Sequence, residues 1–431
     1  MRSIFTTAIS EQLKGRSLAV CSIWAERCRM IKGKPMSFNQ HPWSKDILDC
    51  DERECCCQKA AQVGITETML NRAFYLMDQR KWDIAYYLPN KIPDATDFSN
   101  ARFDPAIEES QYLSSMFTST KNVGHKRAGT ANLYIRGSNS KVGLRSIPVA
   151  GLFIDEVDVC ADYVLPMARE RLSGQQQSQL WTFSTPTIEG HGINAIFSQS
   201  DQRHFFFKCP SCSRFIELTF PKCLKFCSDS ESDAAINDSY LICPECEAKL
   251  PHEQKPQFLK TGIWVPAQPG KNVVSFYINQ MYSSTVTPGD LAKSFLKGQR
   301  DLAEEQEFYN SKLGIVHTPE GNTVTDAEIV SAIGDYVNGD SEHLKHLPVT
   351  IGIDVGKFLH VVVVRWDINA HATLDDINSQ AVAHVIHAFK IESLKAGFPE
   401  LDPIIRIYQP RAVIIDAQPE RRSASDFATR W

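Results

Sequence analysis

Short apolar runs alternate with helix-length amphipathic stretches over the first half of the chain. WDIAYYLP (82–89), ANLYIRG (131–137), AGLFIDE (150–156) and SQLWTFSTP (178–186) read as strands. Met69, Leu70, Ala73, Phe74 and Met77 recur at helical spacing and predict a helix from about Thr66 to Asp78. Strands separated by helix-length segments indicate an α/β protein with a mainly parallel sheet covered on both faces. Before this pattern, the first 50 residues read as helical and turn-rich material. The character changes after Gly192: residues 204–250 hold two cysteine pairs and the polar run SDSESD (228–233), which reads as a small insertion. Further on, VVSFYINQMYSS is strand-like, and GDLAKSFLKGQRDLAEEQEFYN predicts a helix with Leu291, Phe295, Leu296 and Leu302 on its apolar side. YVNGDSEHLKHLP (336–348) reads as a linker, after which VTIGIDVG and HVVVVRWD predict an antiparallel pair.

Composition narrows the class. With 43% hydrophobic and 23% charged residues, the 431-residue chain has the makeup of two or three globular domains. No run of 18 apolar residues and no signal-peptide core occurs, which argues for a cytoplasm-like compartment and no membrane span. Thirteen cysteines, an odd number, fit thiols and a metal site better than a disulfide scaffold. The formal charge of −5 argues against a generally basic nucleic-acid coat. Between Glu109 and Asp155, however, there is no acid, while Lys121, Lys126, Arg127, Arg136, Lys141 and Arg145 fall there beside His125. Such a stretch can meet phosphates or form a solvated face balanced by acids from elsewhere.

The segment Lys59-Ala-Ala-Gln-Val-Gly64-Ile-Thr66 resembles a phosphate-binding loop with Ile65 where the usual lysine would be. Lys59, at its head, can reach back over the phosphates, and the Thr66 hydroxyl can reach Mg²⁺; an ordinary strand-to-helix turn capped by Thr66 is the alternative. The apolar strand ending in Asp155 and Glu156 supplies what an ATPase needs. Asp155 would hold Mg²⁺ through water, and Glu156 would orient and deprotonate the attacking water. Ser184 and Thr185, at the tip of the next strand, are placed to sense the γ-phosphate. The Gln40 amide can both donate to and accept from an adenine edge, or be a surface glutamine in a turn. Arg136 and Arg145 are candidates for the charge that stabilises the transferring phosphoryl group, Arg145 being the better placed.

Cys209-Pro-Ser-Cys212 and Cys243-Pro-Glu-Cys246 form two matched C-x₂-C knuckles, a ligand set for structural Zn²⁺. Cys223 and Cys227, spaced C-x₃-C, read as core or surface thiols, and Cys55, Cys56 and Cys57 as buried strand residues. In the last third of the chain, Asp354 and Asp416 fall in apolar runs that predict neighbouring strands. Such a pair can hold Mg²⁺ or Mn²⁺ for phosphodiester hydrolysis, or cap turns; Asp367 and Glu420 are makeshift further ligands.

Taken together, KAAQVGIT, the aromatic-glutamine lead-in FNQHPW, FIDEVD, FSTP, GSNSKVGLRS, VSFYINQMYS and FYNSKLG resemble the large terminase subunit of lambda-type tailed phages, over essentially the whole chain. In that family the loop lysine opens the loop, which points to Lys59. IGIDVG and VIIDAQ resemble acidic strands of its RNase H-like nuclease, and the cysteine pairs match a zinc-binding insertion seen in many members. The resemblance implies a P-loop ATPase domain (1–200), a zinc-binding insertion (201–255), an ATPase-associated region and linker (256–345) and an RNase H-like nuclease domain (346–431). The nuclease is expected to be truncated, because the family continues with another acidic strand where this chain ends at Trp431. Also implied are ATP-driven packaging of double-stranded DNA, a ring on the portal of a procapsid, a small terminase subunit as partner, and the bacterial host cytoplasm as location. A helicase, and a zinc-stabilised DNA-binding protein of prophage origin without turnover, are the competing readings.

Overall fold

The computed structural model describes residues 18–118, 121–139, 144, 147–318, 338–339, 344–356, 358–368, 381–392, 396–418 and 420–431. They fall into two units, Met1–Thr323 and Val324–Trp431.

The first unit is built on an eleven-stranded sheet. Seven of its strands are β1 (Glu54–Lys59), β2 (Ile84–Leu88), β3 (Ala131–Gly137), β4 (Gly151–Asp155), β5 (Gln179–Ser184), β6 (Arg203–Lys208) and β7 (Val274–Ile278). They lie parallel in the order β6-β7-β1-β5-β4-β2-β3. Antiparallel strands extend both ends: His125–Ala128 and Lys121–Asn122 beyond β3, and Phe215–Ile216 and Ile263–Pro266 against β6. Every residue of β2, β4, β5 and β7 is buried, as the runs of apolar residues require for a sheet covered on both faces. Alternate residues feed opposite cores. Cys55, Cys57, Tyr86, Phe153 and Phe183 pack on one face, and Cys56, Tyr87, Leu152, Ile154 and Leu180 on the other.

Two helices position the candidate loop. The helix α1 (Ser44–Asp49) precedes β1, and α2 (Ile65–Gln79) follows it. Almost all of α2 is buried, including Asn71 and Arg72. Arg72 is satisfied by Leu48 O at 2.7 Å, Asp51 Oδ1 at 2.8 Å and Gln179 Oε1 at 2.9 Å, so its charge ties the helix to the segment before β1 and to β5.

The single helix expected over 289–310 is instead two, Pro288–Gly298 and Leu302–Glu307, followed by a turn of π-helix at Phe308–Leu313. Asp301 makes the break: its carboxylate accepts from the N–H groups of Ala303 and Glu304 and starts a new helix. Gly298 lets the two helices close, since a Cβ there would lie 2.8 Å from Glu305 Cα. The cysteine-bearing insertion carries a small sheet of Leu224–Lys225, Tyr240–Ile242 and Lys249–Leu250. Its Leu218, Leu224, Ile236, Leu241 and Leu250 belong to the same apolar core as α2 and β1.

In the second unit, β8 (Val349–Val355), β9 (Phe358–Ile368), β10 (Ala381–Glu392) and β11 (Ala412–Ile415) form a sheet in the order β10-β9-β8-β11. β8 and β9 are antiparallel, as their sequence predicts, and β8 and β11 are parallel. Val349, Ile351, Ile353 and Val355 alternate inward onto Ile405 of the helix Asp402–Tyr408 and Phe427 of the helix Arg421–Arg430. The intervening Gly352 and Asp354 are exposed.

Candidate active site

Lys59, Asp155 and Ser184 are the last residues of β1, β4 and β5, and β5 lies between the other two. All three therefore emerge at the carboxyl edge of the parallel sheet, where α/β proteins place their ligands. Lys59 is buried, and its Nζ lies 3.4 Å from Glu156 Oε1. Ser184 Oγ donates to Glu156 Oε2 at 3.3 Å, so Glu156 links the lysine to the hydroxyl. Glu156 itself sits in the left-handed region at φ 53°, ψ 50°, a conformation rare for a side chain of this kind and often retained where a group must be aimed. Its N–H donates to Phe183 O at 2.9 Å, fixing it to the end of β5.

Asp155 is 3% exposed and held from both sides. Tyr86 OH donates to Oδ2 at 3.0 Å, and the Glu156 N–H donates to Oδ1 at 3.0 Å. Burial and the adjacent Glu156 charge push its carboxyl up to about 7, against the opposing pull of Lys59 and Tyr86. A cation at this carboxylate would displace that proton and relieve the cost of ionising it.

The loop between β1 and α2 is held by residues far away in sequence. Ala60 N–H donates to Ile278 O at 2.8 Å, and Ala61 N–H to Ser311 O at 2.8 Å. Gln280 Nε2 donates to Ala61 O at 2.8 Å, and Gln58 Nε2 to Gly314 O at 2.9 Å. Gly314 has to be glycine here: φ is +67°, and a Cβ would lie 2.6 Å from Ala60 N. At the other end of the loop, Gly64 (φ +82°) lies against the His41 ring, and Trp43 Nε1 donates to Val63 O at 3.1 Å. The first-turn N–H groups of the 15-residue α2 have no intrahelical partner and open onto this loop, a ready anion site.

Thr66 is half-buried in that first turn. Gln40 is exposed; within the aromatic-glutamine lead-in, His41 lies against Gly64 and Trp43 bonds Val63 O. Thr185 is half-buried beside Ser184. Arg145 and Lys141 lie outside the described residues. The basic stretch is less of a surface than its sequence suggests: Lys126 is fully buried and paired with Asp104 at 2.7 Å, because the alternation along His125–Ala128 turns it inward. Arg127 is exposed, and Arg136 stacks over the Tyr134 ring at 5.5 Å.

The sulfurs of Cys209, Cys212, Cys243 and Cys246 all lie within 4.8 Å of one another, the one such metal-ligand group among the described residues. Cys209–Cys246 and Cys212–Cys243 are each 3.9 Å apart, close to the ~3.8 Å edge of a tetrahedron with ~2.3 Å Zn–S bonds. The two knuckles repeat one geometry. Ser211 N–H points at Cys209 Sγ and Glu245 N–H at Cys243 Sγ, both at 3.4 Å, and Ser213 and Glu247 both have φ 58°. Cys227 is exposed and Cys223 buried, both outside this group.

Asp354 and Asp416 come together across β8 and β11. Ile353 pairs with Ile415, and Asp416 N–H donates to Ile353 O at 2.9 Å. Asp416 stands one residue past the strand rather than within it. His360 lies directly opposite Asp354 on β9, a neighbour that the sequence reading missed. Asp367 is seven residues further along β9, roughly 23 Å away at the rise of a strand, too far to join them.

A lysine, an aimed glutamate and a buried aspartate at neighbouring strand ends, beside a helix N-terminus, are the kinds of group that nucleotide hydrolysis on an α/β sheet requires. The chain belongs to the gpA-type family of phage terminase large subunits: the family model "phage terminase large subunit gpA, ATPase domain" matches residues 31–264, and "terminase large subunit gpA, endonuclease domain" matches 273–387. It is accordingly an ATPase that also carries endonuclease-domain sequence. Among solved structures it is similar to the large terminase of a thermophilic bacteriophage, at 11% identity over 92% of this chain and 80% of that one, with a TM-score of 0.41. It is also similar to the HK97 bacteriophage large terminase, at 11% identity over 94% and 74% with a TM-score of 0.44. The ATPase domain of the Thermus phage P74-26 large terminase shares 12% identity over 66% of this chain and 94% of that one, with a TM-score of 0.37. No curated protein matches by sequence. Among the described residues no helix is long and apolar enough to cross a membrane.

Proposed function

We propose that the chain hydrolyses ATP to drive double-stranded viral DNA into a procapsid. The observation that carries this reading is the Lys59–Glu156–Ser184 junction at the carboxyl edge of the sheet, in a chain of this family. Lys59 exchanges Glu156 for the γ-phosphate when ATP enters, while Gly64 and the N-terminus of α2 receive the other phosphates. Release from Lys59 frees Glu156 to orient the attacking water and take its proton. Asp155 and Thr66 would hold Mg²⁺, which supplies charge neutralisation at the phosphate oxygens. Ser184 and Thr185 respond to loss of the γ-phosphate, Gln40 meets the base, and Arg145 supplies the positive charge to the transferring group.

The same reading assigns residues 1–200 to the P-loop ATPase, 201–255 to an insertion closed by one Zn²⁺ on Cys209, Cys212, Cys243 and Cys246, 256–345 to its associated region and linker, and 346–431 to an RNase H-like nuclease. In the nuclease, Asp354 and Asp416 would hold Mg²⁺ or Mn²⁺. Duplex DNA, the small terminase subunit and the portal, on which several copies assemble in the host cytoplasm, are the partners. Hydrolysis by the purified chain should rise when duplex DNA is added. Glu156→Gln should retain nucleotide binding and lose turnover by roughly 10²-fold or more, the usual weight of a general base. Turnover indifferent to DNA, or preserved in that variant, would refute the motor; unwinding in a strand-displacement assay would make it a helicase.

A further inference from the structure

Cys50 and Cys55 lie outside both the strand-end junction and the zinc knuckles. Cys50 caps the C-terminus of α1, Cys55 is the second residue of β1, and their sulfurs are 3.6 Å apart. The segment between them is held in place rather than loose. Arg72 binds Leu48 O on one side of Cys50 and Asp51 on the other, and Gln179 Nε2 donates to Asp51 Oδ1 at 2.9 Å.

The two thiols differ in access and in chemistry. Cys55 is fully buried, whereas Cys50 is partly exposed. The Cys55 thiol beside Cys50, helped by the Glu52 backbone and the charges of Arg203 and Arg72, holds the Cys50 thiol below its ordinary range, while burial pushes Cys55 up. Of the two, Cys50 is the less buried residue and the readier nucleophile, although its own partial burial opposes ionisation, and Cys55 is the sheltered resolving thiol. Among the described residues the pair belongs to no group of three or more metal-binding side chains; the knuckle cysteines form the one such group.

We propose that Cys50 and Cys55 are an oxidisable dithiol that hydrogen peroxide converts into an intramolecular disulfide. The Cys50 thiolate attacks a peroxide oxygen, the O–O bond breaks, and hydroxide leaves to take up the thiol's proton as water, giving a sulfenic acid. Cys55 then attacks the Cys50 sulfur. The S–O bond breaks, and the departing hydroxide takes the Cys55 proton as a second water. Two thiols lose two electrons and peroxide gains them. The sulfurs would have to close from 3.6 Å to about 2.05 Å.

Trypsin separates the pair, because cleavage after Lys45, Arg53 and Lys59 yields DILDCDER and ECCCQK. The full chain, reduced, treated with stoichiometric hydrogen peroxide, alkylated and digested without reductant, should yield these two peptides cross-linked. Their mass should be two hydrogens below the sum of the two free peptides plus one alkyl group on each of Cys56 and Cys57, and dithiothreitol should separate them. Fragmentation should place the link at Cys55 and not at Cys56 or Cys57. Cys50→Ser, at the partly exposed position, should abolish the cross-linked species. Wild-type protein in which Cys50 proceeds to sulfinic acid without a link, stays unmodified, or links to Cys56 or Cys57 would overturn the proposal.

Discussion

Lys59 carries a buried stem to a carboxylate that is itself 43% exposed, so the pair is anchored at one end and wet at the other. Such a pair adds little stability, which leaves the lysine free to trade Glu156 for a phosphate. Lys59→Ala should therefore fold normally and lose at least about tenfold in ATP turnover, equivalent to about 1.4 kcal/mol of transition-state stabilisation. Steady-state hydrolysis beside a thermal melt tests both halves. A different lysine should make its own contribution to the pH dependence of stability. Lys255 is fully buried with Nζ donating to Ser283 O at 2.8 Å, and burial pulls it down from 10.5 to about 7. Between those values the folded state is neutral where the unfolded chain is protonated; the unfolded state binds more protons, and stability rises with pH. Lys255→Met should remove that contribution, read as a difference in urea midpoint, wild type minus variant, that grows from pH 7 to 10. Of these residues, Lys59 and Glu156 were legible in the sequence because each closes an apolar run. The inward turn of Lys126, the left-handed backbone of Glu156 and the contact of His41 with Gly64 were not, since each depends on what packs against it.

At the scale of elements, the two knuckles are the most self-contained feature. Each builds its sulfur-directed amide from three or four consecutive residues, so the spacing in the sequence encodes the geometry directly. Purified protein should contain about one zinc per chain by metal analysis. Changing both cysteines of either knuckle to Ser should abolish the metal and lower the melting temperature, whereas Cys227→Ser, at an exposed thiol outside the group, should leave both unchanged. The melting effect should extend beyond the insertion, because Leu218, Leu241 and Leu250 share a core with α2. The helices after Thr287 were harder to read. Leu291, Phe295, Leu296 and Leu302 keep helical spacing across a break that one side chain, Asp301, imposes by capping.

For the whole molecule, the parallel sheet was visible because strands buried on both faces must be written as continuous apolar runs. Their lateral order was not visible: β7 comes last of the seven along the chain, yet it lies between β6 and β1. A span limited to 31–264, the extent of the ATPase match, omits β7 together with Ser311 and Gly314, whose carbonyls accept from Ala61 and Gln58. Excised at that boundary, the domain would have a slot between β6 and β1, two newly bare strand edges inviting aggregation, and a loop without its floor. The smallest piece that retains the sheet and the support of the loop between β1 and α2 runs through Gly314, well inside the segment matched as endonuclease.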